Sequence, residues 1–294
     1  MGDKMIIAIL GPTAVGKTSL SIELAKYYNA EVINFDAMQV YEKMNIGTAK
    51  VTKEEMDGVK HHLLSHVKIT ANYSVYNYQK EARALINDLL TKGKNVILVG
   101  GTGLYLKATL YDYSFKEGTS SKSYDDLSNE DLVKEIEKYK IKDIPHINNR
   151  VRLVRLLNKL ENGEEITMNG NNLLYPDTYF IGLTTERYNL YNLINKRVDT
   201  MFSNGLLEEI NSLRPYYENS KALKTAIGYK EFIPYFKNEI SLDEVKENIK
   251  KNSRHYAKRQ YTFFKHQFNI KWFDTDYNNF NNTVKEVITY IDNH

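Results

Sequence analysis

The eight residues Gly11-Pro12-Thr13-Ala14-Val15-Gly16-Lys17-Thr18 constrain what this chain can fold into more than any other segment. They follow the pattern Gly, four residues, Gly-Lys-Thr. They also lie between a continuous apolar run, Met5-Ile6-Ile7-Ala8-Ile9-Leu10, and a helical pattern with Leu20, Ile22, Leu24 and Ala25 on its apolar side. A chain of 294 residues meets the pattern by accident about one time in a hundred, and the strand-loop-helix context sharpens it further. The glycines let the backbone wrap closely, so that successive N–H groups and the helix N-terminus face a phosphate oxygen. Lys17 adds a positive charge, and the Thr18 hydroxyl can reach a magnesium ion held by the phosphates. Such a loop serves ATP hydrolysis, phosphoryl transfer or the departure of pyrophosphate equally well, so it does not choose the reaction.

The periodicity around the loop predicts an α/β architecture. Glu31-Val32-Ile33-Asn34-Phe35 reads as a second strand, residues 78–90 as a helix, and Asn95-Val96-Ile97-Leu98-Val99 as another buried strand before Gly100-Gly101-Thr102-Gly103. Strand, helix, strand in this order makes a right-handed crossover and hence a doubly wound parallel sheet. The chain turns polar and Ser-rich at residues 116–128, which marks a boundary. Amphipathic helices follow at residues 131–139 and 150–160, then a strand-like Tyr179-Phe180-Ile181-Gly182-Leu183 and, late in the chain, Ile270-Lys271-Trp272-Phe273. The simplest division is a phosphate-loop core of residues 1–115 and 200–294 interrupted by a mostly helical insertion of residues 116–199.

Composition excludes several alternatives. With 42% hydrophobic and 26% charged residues the chain is globular, and no window reaches the ~20 apolar residues that cross a bilayer. The start leads straight into a strand-like run, so no signal peptide or membrane anchor is expected. The absence of Cys removes disulfides, thiol catalysis and thiolate zinc sites, and suits a cytoplasmic protein. His61 and His62 lack a third metal ligand of suitable spacing and are expected to be structural. A net charge of +3 conceals a basic stretch, Lys250-Lys251-Asn252-Ser253-Arg254-His255-Tyr256-Ala257-Lys258-Arg259, which suits a solvated helix face or a polyanion contact.

Asp36 follows the second strand, at the sheet edge where ligands of open parallel sheets bind. Taken alone it suits a helix cap or a magnesium ligand as well as a base. Its surroundings carry more. Gly-Pro-Thr-Ala-Val-Gly-Lys-Thr, Asp36-Ala37-Met38-Gln39-Val40-Tyr41, Ile46-Gly47-Thr48-Ala49-Lys50, His61-His62-Leu63, Val99-Gly100-Gly101-Thr102-Gly103-Leu104-Tyr105, Ala226-Ile227-Gly228-Tyr229-Lys230-Glu231 and Tyr256-Ala257-Lys258-Arg259-Gln260 occur in this order. Together they resemble the bacterial tRNA dimethylallyltransferases, also called tRNA isopentenyltransferases, over nearly the whole chain.

The resemblance implies transfer of a dimethylallyl group from dimethylallyl pyrophosphate to N6 of the adenosine 3′ of the anticodon, in tRNAs that read codons starting with U. The loop residues Gly11, Thr13, Ala14, Val15, Gly16, Lys17 and Thr18 then hold a pyrophosphate leaving group, with Thr18 toward magnesium. Asp36 becomes the base for a poorly nucleophilic exocyclic amine, and Thr13 a second catalytic contact. Two positions depart from the family: Ala37 stands where relatives usually have Ser, and Thr225 where an Arg or Gln commonly sits, so that this contribution is expected to be weaker, absent or supplied elsewhere, with Lys224 and Arg254 as the candidates.

The same resemblance places Asp36, Ala37, Met38, Gln39, Thr102, Arg152, Arg155, Lys258 and Arg259 against tRNA. Gln39 has a donor and an acceptor for reading a base edge, while Thr102 also suits a plain turn before a helix. Arg152 and Arg155 lie three apart on one helix, spaced for successive phosphates of an anticodon loop or for ordinary surface ion pairs. A flipped adenine is required, because a stacked base cannot reach such a site. Nothing in the sequence demands a partner chain, so a monomer is expected.

Overall fold

The computed structural model describes residues 4–113, 115, 122–141, 143–163 and 171–294. Its chain divides into two compact units, Met1–Tyr111 with Leu173–His294, and Asp112–Asn172.

The larger unit begins with β1 (Ile6–Leu10), α1 (Lys17–Tyr27), β2 (Ala30–Asn34), the short α2 (Lys53–Met56) and the two-residue β3 (His61–His62). It continues through α3 (Val75–Thr91), β4 (Asn95–Val99) and α4 (Gly103–Leu110). The smaller unit holds α5 (Asn129–Glu137) and α6 (Arg150–Glu161). The larger unit resumes with β5 (Thr178–Thr184), α7 (Arg187–Ser203), α8 (Leu206–Leu213), α9 (Lys221–Thr225), α10 (Phe232–Phe236), α11 (Leu242–Gln267), β6 (Lys271–Asp274) and α12 (Phe280–Asp292).

The six strands form one parallel sheet in the order β3-β2-β4-β1-β5-β6. Parallel strands need crossover helices, and these cover both faces, which explains why β1 reads as an unbroken apolar run. Its side chains alternate. Ile7 and Ile9 face a core with Leu20 and Leu24 of α1, Ile194 of α7 and Val287 of α12. Ile6, Ala8 and Leu10 face the opposite core, with Tyr78, Ala82 and Ile86 of α3 and Phe264 of α11. A further apolar cluster joins Val40, Met44, Met201, Ile210, Tyr229 and Phe232, packing α8 to α10 beside the sheet.

The insertion is smaller than the sequence division of 116–199. Thr178–Thr184 pairs with β1 from Ile6 opposite Thr178 to Leu10 opposite Gly182, and Leu190 and Ile194 of α7 are buried in the sheet core. The strand and the helix after it therefore belong to the core, which resumes at Leu173. The expected starting residue, 116, and the polar stretch through 121 lie outside the described residues. Within the insertion, Leu132 and Ile136 of α5 pack on Leu153, Leu156 and Leu157 of α6. Arg150 fixes the approach to these helices by donating to the carbonyls of Tyr124 and Leu127.

Candidate active site

The chain reverses direction across the sheet beside β1, and the carboxyl ends of β1, β2 and β4 open onto a cavity of about 670 Å³. This is the edge at which doubly wound sheets bind ligands. Thr13, Ala14, Gly16, Lys17, Thr18, Asp36, Ala37, Met38, Gln39, Thr102 and Arg259 all line it. Five residues of the sequence-based set do not, and two of them, Arg152 and Arg155, belong to the smaller unit. Gly11 lies behind the loop, where an added Cβ would collide with the Leu183 carbonyl oxygen. The Val15 side chain is fully buried in the core. Lys258 faces a separate shallow depression with His255, Thr262 and Phe263.

The loop has the backbone that its glycines imply. Gly16 caps α1 at φ 93°, a left-handed conformation that costs a side-chain-bearing residue. The first turn of α1 carries no acidic residue and no side-chain cap, leaving its N–H groups to an outside acceptor. Lys17 Nζ donates to the Pro12 carbonyl at 2.6 Å. Burial, with the Arg197 guanidinium beside it, pulls the Lys17 ammonium down to about 7, while Asp36 opposes the shift. An anion in the loop restores the full charge that the sequence reading gives this residue.

Asp36 is held two residues beyond β2. Asn34 Oδ1 accepts its N–H at 3.0 Å, and its own Oδ1 accepts the Met38 N–H at 2.9 Å, an Asx turn that aims the second oxygen at the cavity wall. There it meets Gly101, where an added Cβ would lie 3.0 Å from Oδ2. Thr102 Oγ1 accepts the Ala37 N–H at 2.9 Å and so ties the turn after β4 to the Asp36 segment. Gln39 donates from Nε2 to the Thr48 and Ala49 carbonyls at 3.1 and 3.3 Å, which engages its donor side.

Arg197 escaped the sequence reading, and Gln260 entered it only as the end of the Tyr256–Gln260 motif, with no role of its own. Arg197 of α7 donates from Nη1 to Thr13 Oγ1 at 2.8 Å and from Nη2 to the Thr48 carbonyl at 3.4 Å. Accepting from Arg197 leaves the Thr13 hydroxyl hydrogen free to donate. Gln260 of α11 accepts the Thr13 N–H on Oε1 at 3.0 Å and donates from Nε2 to the Gly101 carbonyl at 2.9 Å, joining the phosphate loop to the turn after β4. The helical spacing of Ser253, Tyr256 and Gln260 on the cavity side could have found Gln260; attention to the charges of Lys258 and Arg259 hid it. Arg197 carries no local motif. Lys224 and Arg254 are engaged elsewhere, with the Glu218 carbonyl and Asn195 Oδ1, and neither lines the cavity. Thr225 does line it, its hydroxyl donating to the Lys221 carbonyl at 2.8 Å.

His62 pairs with Glu31 at 2.7 Å. His61 lines the cavity with Nδ1 2.9 Å from the Val59 carbonyl, and its buried Nε2 has no hydrogen-bond partner among the described residues. Arg152 and Arg155 are exposed on α6 in the smaller unit and make no ion pair among the described residues. No cluster of three or more His, Cys, Asp or Glu side chains able to hold a metal occurs among the described residues, and no helix there is long and apolar enough to cross a membrane.

Comparison with known proteins gives one answer. A family model described as IPP transferase matches residues 39–267. The tRNA dimethylallyltransferase of Staphylococcus haemolyticus is 40% identical over 305 aligned positions, covering 97% of this chain and 91% of that one. The crystal structure of a tRNA delta(2)-isopentenylpyrophosphate transferase from Staphylococcus epidermidis superposes with a TM-score of 0.74 at 38% identity, over 99% of both chains. A eukaryotic dimethylallyltransferase captured acting on tRNA superposes with a TM-score of 0.83 at 30% identity, over 99% of this chain and 79% of that one. The family model spans well over half of the chain and the relatives nearly all of it, and this chain belongs to the IPP transferase family.

Proposed function

We propose that this protein transfers a dimethylallyl group from dimethylallyl pyrophosphate to N6 of the adenosine 3′-adjacent to the anticodon, in tRNAs reading codons that start with U. The observation that carries the proposal is the meeting in one cavity of the Asp36 carboxylate with the Thr13 hydroxyl and Lys17 of the phosphate loop.

The reaction breaks the C1–O bond of the donor and forms a bond from C1 to N6, and pyrophosphate departs. The N6 lone pair is delocalised into the adenine ring, so attack is helped by passing the amine proton to the Asp36 carboxylate. Charge grows on the departing oxygen. The Thr13 hydroxyl, oriented by Arg197, together with Lys17 and the first-turn amides of α1, stabilises it. Gln39 Oε1 accepts from the base edge, and the adenine reaches the cavity by flipping out of its loop.

Magnesium fits a minimal donor set here. Mg²⁺ keeps several waters and binds through substrate phosphates, and the Thr18 hydroxyl at the exposed start of α1 is the protein group to complete that set. When bound, it neutralises pyrophosphate charge. Arg152 and Arg155 on the insertion, and Lys258 and Arg259 on α11, are the cations assigned to the phosphates of the anticodon stem-loop. The protein is read as a cytoplasmic monomer.

The test is incubation of the purified protein with dimethylallyl pyrophosphate, magnesium and undermodified tRNA, followed by mass spectrometry of the nucleosides. N6-(dimethylallyl)adenosine confined to the position 3′ of the anticodon supports the proposal. Prenylation of free AMP in preference to an anticodon stem-loop, or ATP-dependent phosphorylation with no prenyl transfer, overturns it.

A further inference from the structure

Glu209 of α8 does not line the cavity, yet its carboxylate accepts four hydrogen bonds from residues beside it. Oε2 accepts the backbone N–H groups of Asn45 at 3.0 Å and Ile46 at 2.8 Å. Oε1 accepts the Gly47 N–H at 3.1 Å and the Tyr229 hydroxyl at 2.6 Å. Three successive amides converging on one carboxylate form a nest, the backbone arrangement that binds anions. The Tyr229 ring closes the other side of the loop, because a Cβ added to Gly47 would lie 2.6 Å from it. Burial and the neighbouring carboxylate push the Tyr229 phenol far up, so it remains a donor.

What this loop carries gives the nest its purpose. The next residue is Thr48, whose carbonyl accepts from both Gln39 Nε2 and Arg197 Nη2. One backbone oxygen therefore aligns the group that reads the base and the guanidinium that orients the Thr13 hydroxyl. We propose that Glu209 is a positioning residue for prenyl transfer, setting Arg197 against Thr13 by fixing the Asn45–Thr48 backbone. The inference rests on the assignment of the cavity to prenyl transfer.

Glu209→Gln retains the shape but turns an amide N–H₂ toward at least one of four donors. The loop is released locally, since Leu206, Ile210 and Leu213 keep α8 in its apolar cluster. The test is a double-mutant cycle on the single-turnover rate at saturating substrates, using wild type, Glu209→Gln, Arg197→Lys and the double variant, with circular dichroism to establish folding. Glu209→Gln is expected to slow turnover about 10- to 100-fold, and the double variant to stay within about threefold of Arg197→Lys alone. Tyr229→Phe removes one of the four bonds and keeps the ring. It is expected to slow turnover several-fold and to be absorbed by Arg197→Lys in the same way, which keeps the cycle readable where Glu209→Gln does not fold. Losses that multiply with Arg197→Lys, or folded variants that turn over at the wild-type rate, overturn the proposal. A wild-type protein that transfers no prenyl group to tRNA overturns the assignment of the cavity instead.

Discussion

Arg197 donates to the Thr13 hydroxyl at 2.8 Å across 184 residues of sequence, so the phosphate loop is finished by a helix that follows the insertion. The contact is made by a half-buried guanidinium whose pKa is lowered by desolvation, with Asp36 and Glu55 opposing the shift. Removing either partner unmakes a charge-assisted hydrogen bond at the site proposed to hold the departing pyrophosphate. Thr13→Val and Arg197→Ala are each expected to lower kcat about 10²-fold, with tRNA affinity changed less than about threefold. Steady-state kinetics and a tRNA gel shift check this.

Asp36→Asn keeps the hydrogen-bonding shape of the turn while removing the proton acceptor. The expected result is a fall in kcat of about 10²- to 10⁴-fold with tRNA and donor binding retained. Parallel loss of tRNA binding would assign Asp36 to the architecture of the turn and not to the chemistry.

Lys17 supplies a pH dependence whose sign follows from its depressed value of about 7. Below that pH the free protein carries the ammonium, and above it a diphosphate must recruit a proton to obtain the same charge. Lys17→Arg stays charged throughout. The ratio of wild-type to Lys17→Arg dissociation constants for inorganic pyrophosphate is therefore expected to rise by up to about tenfold per pH unit above 7. Taking this ratio in calorimetric titrations from pH 6 to 9 cancels the ionisation of pyrophosphate itself.

Gly100 sits where β4 turns beneath Asp36, and a Cβ there would lie 2.5 Å from the Phe35 carbonyl carbon and 2.7 Å from the Asp36 nitrogen. Both neighbours are backbone and cannot rotate away. Gly100→Ala is expected to destabilise the fold by about 1–3 kcal/mol, read by thermal unfolding, and to slow turnover by displacing Asp36.

Arg152→Ala and Arg155→Ala are expected to weaken tRNA binding without changing the KM for the prenyl donor. Each lost phosphate contact lowers the slope of log affinity against log salt by about 0.7 to 0.9. An unchanged slope would return these arginines to the ordinary solvated surface of α6.

What the sequence made legible was what it writes contiguously. Ile6–Leu10, the glycine loop and the start of α1 are adjacent in the chain, and each carries its own period or steric signature. Asp36 was legible because a residue two positions past a parallel strand falls at the ligand edge. Arg197 was not, because its meaning comes from the partner that α7 brings it to. Its cavity-side neighbours Ile194, Val198 and Met201 read as any apolar helix stripe. The boundary of the insertion failed for a related reason. Thr178–Thr184 looked like a strand, but only its pairing with β1 shows that the core resumes before it.

The Thr13 N–H is accepted by Gln260, so the phosphate loop is locked by a helix made 247 residues after it. β5, which completes the flank of β1, also emerges after the insertion. A nascent chain that has not reached Gln260 holds the glycine loop without this contact, so the loop is not locked to the turn after β4 until α11 has been made.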